Sequence, residues 1–122
     1  MNILFIGDIF GSAGRKIVAE HIGHVRKSYG VDLTIINAEN AAGGFGVTPG
    51  IAEDLFELGA DVLTTGNHVW DKKELIDYLK SVPANSQEHP RRVLRPVNYY
   101  PGVPGYGVFE GVTAERGVHC VR

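Results

Sequence analysis

The sequence predicts an α/β protein in which a parallel sheet has helices on both of its faces. Three short apolar runs, each followed by an amphipathic segment, give the order βαβαβα over residues 1–80. The carboxyl ends of these runs lie roughly 30 residues apart, which is the spacing of βαβ units. Apolar and polar residues do not alternate within the first run. That pattern is typical of a strand buried on both faces of a parallel sheet.

The three predicted strands and helices are each marked by local signals. The strands are predicted at residues 4–6, 33–36 and 62–65. The first helix is expected to end near Gly30. The second is expected to begin after an N-cap at Thr48, with Pro49 in its first turn, and to stop near Gly59. Asp71 is predicted to cap the third helix, with Glu74 completing a capping box.

The chain changes character after the third helix. Residues 84–92 are polar, contain a proline and are predicted to be a loop, with an insertion in the domain as one interpretation. Residues 93–94 are predicted as a short fourth strand. Residues 107–112 and 118–121 are expected to pair as a hairpin. The 122 residues are interpreted as a single domain that is incomplete at its C-terminal side.

Composition excludes several classes of function. The chain has 43% hydrophobic and 21% charged residues and a formal charge of -2, as ordinary globular proteins do. Without a basic field, neither strong nucleic-acid binding nor an electrostatic membrane anchor is expected. The single cysteine, Cys120, allows no intramolecular disulfide and is interpreted as a small buried residue. A cytoplasmic location is therefore expected.

Polar side chains suited to metal binding follow each of the three predicted strands. They are Asp8, then Glu39 and Asn40, then Asn67 and His68. Ligands of an open α/β sheet bind outside the carboxyl ends of its strands, so these side chains are expected to converge. Carboxylate, amide and imidazole donors suit Mn, Fe or Zn better than Ca. A central carboxylate can bridge two ions, and Glu39 is central by its order in the chain.

Three motifs make the sequence resemble a known family. The segments GDIFG (7–11), NAENAAGG (37–44) and GNHVWDKK (66–73) resemble, in the same order, motifs of the YmdB-like branch of the calcineurin-like metallophosphoesterases. Residues 95–98 and 101–105 look like the segment that follows them in this family. Phe10 stands where the wider superfamily often has a histidine, which fits this branch. The resemblance implies the N-terminal half of a metallophosphoesterase-like α/β sandwich.

The resemblance also implies a role for each candidate residue. Asp8 and Asn40 would ligate one metal ion and Asn67 the other, with Glu39 bridging the two and His68 donating a proton to the leaving oxygen. The two divalent ions would be iron or manganese, with zinc and magnesium as alternatives. The implied activity is a metal-dependent phosphodiesterase for small phosphodiesters, with 2′,3′-cyclic nucleotides as the favoured substrates.

One departure from the family's pattern has consequences. The family's later histidine and its His-x-His pair, which would complete both metal shells, are absent from this sequence. The chain is therefore expected to be an N-terminal fragment. An alternative to the enzyme is an inactive fragment, or a metal- or nucleotide-binding half-domain that needs a partner. Half a sheet would expose apolar surface, so self-association into a homo-oligomer is expected.

Other residues with chemical potential have plainer interpretations. His21 and His24 are interpreted as part of a solvated helix face, and His89 and His119 as surface residues. For Trp70, stacking on a base and packing against the third helix are left as equal alternatives. The glycines after the first strand do not fit G-x-G-x-x-G, and no P-loop lysine follows them. Dinucleotide binding is therefore disfavoured.

Overall fold

Four parallel strands form the central sheet of this computed structural model, which describes residues 1–113 and 117–121. The strands lie in the order β1-β2-β3-β4, and an antiparallel pair, β5 and β6, forms a separate two-stranded sheet. The parallel order of the sheet confirms the predicted α/β class, and the short fourth strand is confirmed as well. The strands are β1 (Ile3–Ile6), β2 (Leu33–Asn37), β3 (Val62–Thr64), β4 (Val93–Leu94), β5 (Phe109–Thr113) and β6 (Gly117–Val121).

The three predicted helices are all present. They are α1 (Gly11–Tyr29), α2 (Pro49–Glu57) and α3 (Lys73–Lys80). The Thr48 hydroxyl accepts a hydrogen bond from the Ile51 amide at 3.3 Å, which confirms the predicted N-cap of α2. Gly30 ends α1 at a φ of 57°, in the left-handed conformation that glycine adopts readily. Short 3-10 helices span Asn67–Trp70 and His89–Arg92.

The expected placement of helices on both faces of the sheet is wrong. Buried residues from all three helices pack in one cluster with Ile36 and Leu63, which are register partners on one face. The other face holds a second cluster of strand residues with Phe109, and within the described residues this cluster includes no helical residue. The physical reason is the strand order. Right-handed crossovers that always step in the same direction place every helix on the same side of the sheet.

β1 is an edge strand, and it is not buried on both faces as predicted. Ile3 and Phe5 point to the face without helices and are 51% and 60% exposed, whereas Leu4 and Ile6 pack against the helical side. An apolar run therefore marked a strand correctly but said nothing about its position in the sheet. The exposed apolar side chains are the surface on which the predicted self-association would depend, and that self-association stays a prediction.

The region between α3 and the hairpin is more ordered than a plain loop. Residues 84–92 end in the 3-10 helix His89–Arg92, and the Arg91 side chain donates hydrogen bonds to the carbonyls of Ala84 and Val108. That this segment is an insertion stays a prediction. Backbone pairing of β5 with β6 confirms the hairpin, and residues 114–116 between the two strands lie outside the described residues. The side chains of His119 and Cys120 also lie outside the described part of the structure. Among the described residues, no helix is long and apolar enough to cross a membrane.

Candidate metal centre

The candidate site lies at the carboxyl edge of the parallel sheet. β1, β2 and β3 are neighbours in register, so the residues that follow them emerge at one edge. Backbone bonds hold these strand ends together. The amide of Ile9 donates to the Asn37 carbonyl at 3.1 Å, and the amide of Ala38 donates to the Thr64 carbonyl at 2.9 Å. These contacts confirm the prediction that the ends of the three strands meet at one edge of the sheet.

Asp8 and Asn40 are in contact although they lie far apart in the sequence. The Asn40 Nδ2 donates a hydrogen bond to Asp8 Oδ1 at 2.7 Å. This contact leaves the amide oxygen of Asn40 and the second carboxylate oxygen of Asp8 as acceptors for another ligand. Asp8 also has a φ of 27°, and it is the one non-glycine residue with a positive φ in the described chain. Backbone strain of this kind costs energy and is concentrated at functional sites.

Glu39 extends from the end of β2 across to the end of β3. A Cβ atom placed on Gly66 would overlap the Glu39 carboxylate, so glycine before Asn67 lets this carboxylate lie against the end of β3. The Glu39 amide donates to Asn37 Oδ1 at 3.2 Å, and Asn37 Nδ2 donates to Glu39 Oε1 at 3.4 Å. These bonds fix the carboxylate between the two strand ends. The carboxylate therefore lies between the residues that follow β2 and those that follow β3.

A glycine-rich loop follows Asn40 and forms one wall of the site. Gly43, Gly44 and Gly46 all have a positive φ, and a Cβ on Gly44 would lie 2.8 Å from the ring of Phe10. Phe45, at the loop's tip, contacts the His68 ring edge-on, with the ring centroids 5.3 Å apart. Two exposed aromatic rings, those of Phe10 and Phe45, thus lie at the carboxyl edge of the sheet, which is called the rim below. The rim residues are the candidate residues Asp8, Glu39, Asn40, Asn67 and His68.

His68 and Asp71 form a pair that the sequence interpretation missed. The His68 Nδ1 lies 2.6 Å from Asp71 Oδ2. The prediction that Asp71 caps α3 is therefore wrong: α3 begins at Lys73, its N-cap is Lys72, and no side chain caps it. The 3-10 helix explains the difference. With three residues per turn, residues i and i+3 are directly superposed, so His68 and Asp71 meet.

Trp70 packs within the fold. It lies against the main hydrophobic cluster and contacts Tyr99 edge-to-face, with ring centroids 5.5 Å apart. Of the two alternatives considered for this residue, the structure supports packing.

Several side chains at this edge of the sheet could contribute donors to a metal ion. Asp8 and Asn40 offer carboxylate and amide oxygens side by side, and Glu39 offers a carboxylate next to the β3 end. Such oxygen donors together with an imidazole suit iron, manganese or zinc. The part of the chain that the structure describes contains no group of three or more His, Cys, Asp or Glu side chains able to hold a metal by themselves. Complete coordination would therefore need donors in addition to these carboxylates.

A second cluster of titratable groups lies outside the rim. Glu53 of α2 accepts hydrogen bonds from the Tyr78 hydroxyl and from His89 Nδ1. The His89 ring stacks on Phe56, with centroids 4.3 Å apart and planes 21° apart. His89 is a surface residue, as expected, with 38% of its side chain exposed, but its ring makes two specific contacts that were not expected. No local signal could have shown this, because Glu53 and His89 are 36 residues apart.

The contacts of this second cluster change two pKa values. Burial by itself would raise the pKa of Glu53, but hydrogen bonds from Tyr78 and His89 and the charge of His89 lower it below its ordinary value. Burial, followed by the hydrogen bond to Glu53 and the negative charge of that residue, raises the pKa of the Tyr78 phenol. Tyr78 therefore remains a hydrogen-bond donor throughout the physiological pH range.

Fold and rim together define an α/β protein with carboxylate, amide and imidazole donors at the carboxyl edge of its sheet. A family model described as "YmdB-like protein" matches residues 4–121, and the chain belongs to this family. The chain is 45% identical over 108 residues to a Bacillus subtilis protein named 2′,3′-cyclic-nucleotide 2′-phosphodiesterase. It is 40% identical over 74 residues to a Mycoplasma genitalium protein named putative phosphatase/phosphodiesterase.

Two solved structures share the fold. One is a hypothetical protein from Thermus thermophilus, with 38% identity and a TM-score of 0.79 over 93% of this chain and 41% of that one. The other is described as a novel phosphatase from Mycoplasma pneumoniae, with 30% identity and a TM-score of 0.75 over 90% of this chain and 38% of that one. The alignments to the B. subtilis and M. genitalium proteins span 88% and 61% of this chain but 38% and 26% of those relatives. The chain thus corresponds to well under half of the relatives it matches.

Proposed function

We propose that this chain supplies the N-terminal part of a dinuclear phosphodiesterase site that hydrolyses small phosphodiesters. Asp8 and Asn40 would hold one divalent ion, Asn67 would hold the second, and Glu39 would serve as a ligand to both. Iron and manganese are the favoured ions. When bound, two such ions activate a water and neutralise the phosphoryl oxygens of a phosphodiester. 2′,3′-Cyclic nucleotides are the favoured substrates, since a relative at 45% identity is named for their hydrolysis.

The residues of this chain have distinct tasks in the proposed reaction. Asp8, Glu39 and Asn40 orient the metal centre, and the contacts described above fix them before a ligand arrives. His68 gives a proton to the departing ribose oxygen, which would otherwise leave as a poor, charged leaving group. A 2′-phosphodiesterase breaks the bond to the 2′ oxygen, so the product is a nucleoside 3′-phosphate.

One observation supports this proposal most strongly. The hydrogen bond from Asn40 Nδ2 to Asp8 Oδ1 joins two candidate ligands that lie 32 residues apart. A loop asparagine satisfied by its own backbone would not need this partner. The unusual φ of Asp8 favours the same interpretation, because a strained backbone persists where its side chain has a task.

A hybrid protein tests the proposed activity. In this hybrid, residues 1–113 of the chain are joined to the portion of the B. subtilis relative that the chain does not span. With Mn²⁺, we expect hydrolysis of 2′,3′-cyclic AMP to 3′-AMP, and we expect Asp8→Ala to abolish it. Asp77→Ala, which removes an exposed carboxylate of α3, is the matched control. A cooperatively folded hybrid that does not hydrolyse the substrate would contradict the proposal.

A second candidate function is a metal-binding half-domain that is inactive without a partner. It is favoured by the incomplete donor set among the described residues and by the coverage of only 38% of the relative's length. Calorimetric titration of the 122-residue chain with Mn²⁺ tests this second candidate. One weak site without turnover favours the half-domain, whereas two tight sites would contradict it.

A further inference from the structure

We propose that Asp71 is a positioning residue that fixes the His68 ring with its proton on Nδ1 and with Nε2 directed to the reacting phosphodiester. The inference rests on the proposed function for the destination of Nε2. The pairing itself is a property of the chain alone. Asp71 acts through His68 and touches neither the metal ions nor the substrate.

The first argument is the direction of the hydrogen bond. A carboxylate has no hydrogen to give, so the 2.6 Å contact requires that His68 Nδ1 donate to Asp71 Oδ2. In the neutral ring, this places the lone pair on Nε2. In the protonated ring, it leaves the Nε2 hydrogen as the one available for transfer. Within the described residues, Nε2 makes no hydrogen bond of its own.

The second argument is that the ring is restrained from two directions. Asp71 holds one edge of the imidazole, and Phe45 packs against it edge-on at a centroid distance of 5.3 Å. The loop also approaches the His68 backbone closely, because a Cβ on Gly46 would lie 3.0 Å from the His68 carbonyl oxygen. The hydrogen bond and the aromatic contact together favour the observed orientation of the ring.

The third argument is the missing helix cap. Asp71 lies where a capping residue of α3 is expected, yet that helix begins without any side-chain cap. A cap of this type commonly stabilises a helix by about 1 kcal/mol, so its absence is a local cost. Departures from local sequence preferences are most common at functional positions. The loss of the cap is therefore consistent with a carboxylate that orients His68.

Nitrogen NMR of the intact, metal-free chain tests the proposal without any need for turnover. At pH 9, where an ordinary imidazole is neutral, we expect the Nδ1-protonated tautomer of His68 in the wild type. In Asp71→Ala, the chemical shift typical of a protonated nitrogen should move from Nδ1 to Nε2 of His68, since free imidazole side chains favour the proton on Nε2. Asp77→Ala, which removes another exposed carboxylate, should leave the His68 shifts unchanged.

Each outcome decides the question. An Nε2-protonated His68 in the wild-type chain would overturn the proposal, and this measurement requires no variant to fold. Unchanged shifts in Asp71→Ala would overturn it too. Failure of the rim residues to bind metal would instead contradict the proposed function, and it would leave the tautomer result standing. The two claims can therefore fail separately.

Discussion

Two histidines of this chain make the same contact in different surroundings. His68 and His89 each place Nδ1 against a carboxylate, Asp71 in one case and Glu53 in the other. His68 pairs within a single 3-10 turn and lies beside the glycine-rich loop and the candidate metal ligands. His89 pairs across 36 residues and stacks on Phe56, where its partner Glu53 also binds Tyr78.

The difference shows that surroundings, and not the pair itself, decide what a His–carboxylate contact does. The contacts of His89 with Glu53 and Phe56, and of Glu53 with Tyr78, join α2, α3 and the segment before β4 in one junction, so the pair links these elements. The His68 ring contacts Asp71 and Phe45, and within the described residues its Nε2 makes no hydrogen bond, as the proposed proton transfer requires. Four predictions test this contrast, from the largest expected effect to the smallest.

The largest effect concerns turnover. In the hybrid protein, His68→Ala should lower kcat by about 10²–10⁴-fold, the usual contribution of a general acid. His89→Ala should leave turnover of the folded hybrid close to its original value, because the ring lies in the packing junction. The assay is hydrolysis of 2′,3′-cyclic AMP with Mn²⁺. Equal losses in the two variants would remove the distinction between the two pairs.

Stability should show the opposite order. His89→Ala removes a charge-assisted hydrogen bond and a stacked aromatic contact, so the free energy of unfolding of the chain should fall by about 1–2 kcal/mol. His68→Ala, at the partly exposed rim, should change it by about 0.5 kcal/mol or less. Urea unfolding measures both. A larger loss in His68→Ala would show that the rim pair is mainly structural.

Tyr78→Phe tests the second hydrogen bond to Glu53. The ring stays in place and only the hydroxyl donor is lost, so we expect a destabilisation of about 0.5–1.5 kcal/mol. Tyr29→Phe removes the hydroxyl of an exposed tyrosine and should have no measurable effect. If the two substitutions behave alike in urea unfolding, the Tyr78 hydroxyl does not contribute to the junction.

The smallest effect concerns pH. Because the folded chain lowers the pKa of Glu53, the stability from this group is present above its ordinary value of 4.5. It is lost as the pH falls through the lowered folded-state value. Glu53→Gln should therefore lose less unfolding free energy than wild type between about pH 6 and about pH 3. Glu57→Gln, an exposed acid of the same helix, should follow the wild type, and a parallel curve for Glu53→Gln would contradict the assignment.

The sequence predicted what local patterns determine. Short apolar runs located the strands, Thr48 and Gly30 marked helix ends, and the strand ends identified Asp8, Glu39 and Asn67. The faces of the sheet could not be predicted, because they depend on the strand order, and a run of apolar residues contains no information on its neighbours. The missed partners have a similar cause. Asp71 could cap α3 or pair with His68, and the local sequence does not distinguish the two. The contact of Glu53 with His89 joins two elements that are far apart in the sequence.

The central claim is that the rim of the sheet binds divalent metal through Asp8 and its neighbours. Calorimetric titration of the 122-residue chain with Mn²⁺ tests it most directly, with Asp8→Ala and the control Asp77→Ala measured in parallel. The account predicts that Asp8→Ala raises the Kd for Mn²⁺ by at least about tenfold, as loss of a coordinating group does, while Asp77→Ala leaves it unchanged. Equal affinity of all three proteins for Mn²⁺ would contradict the account.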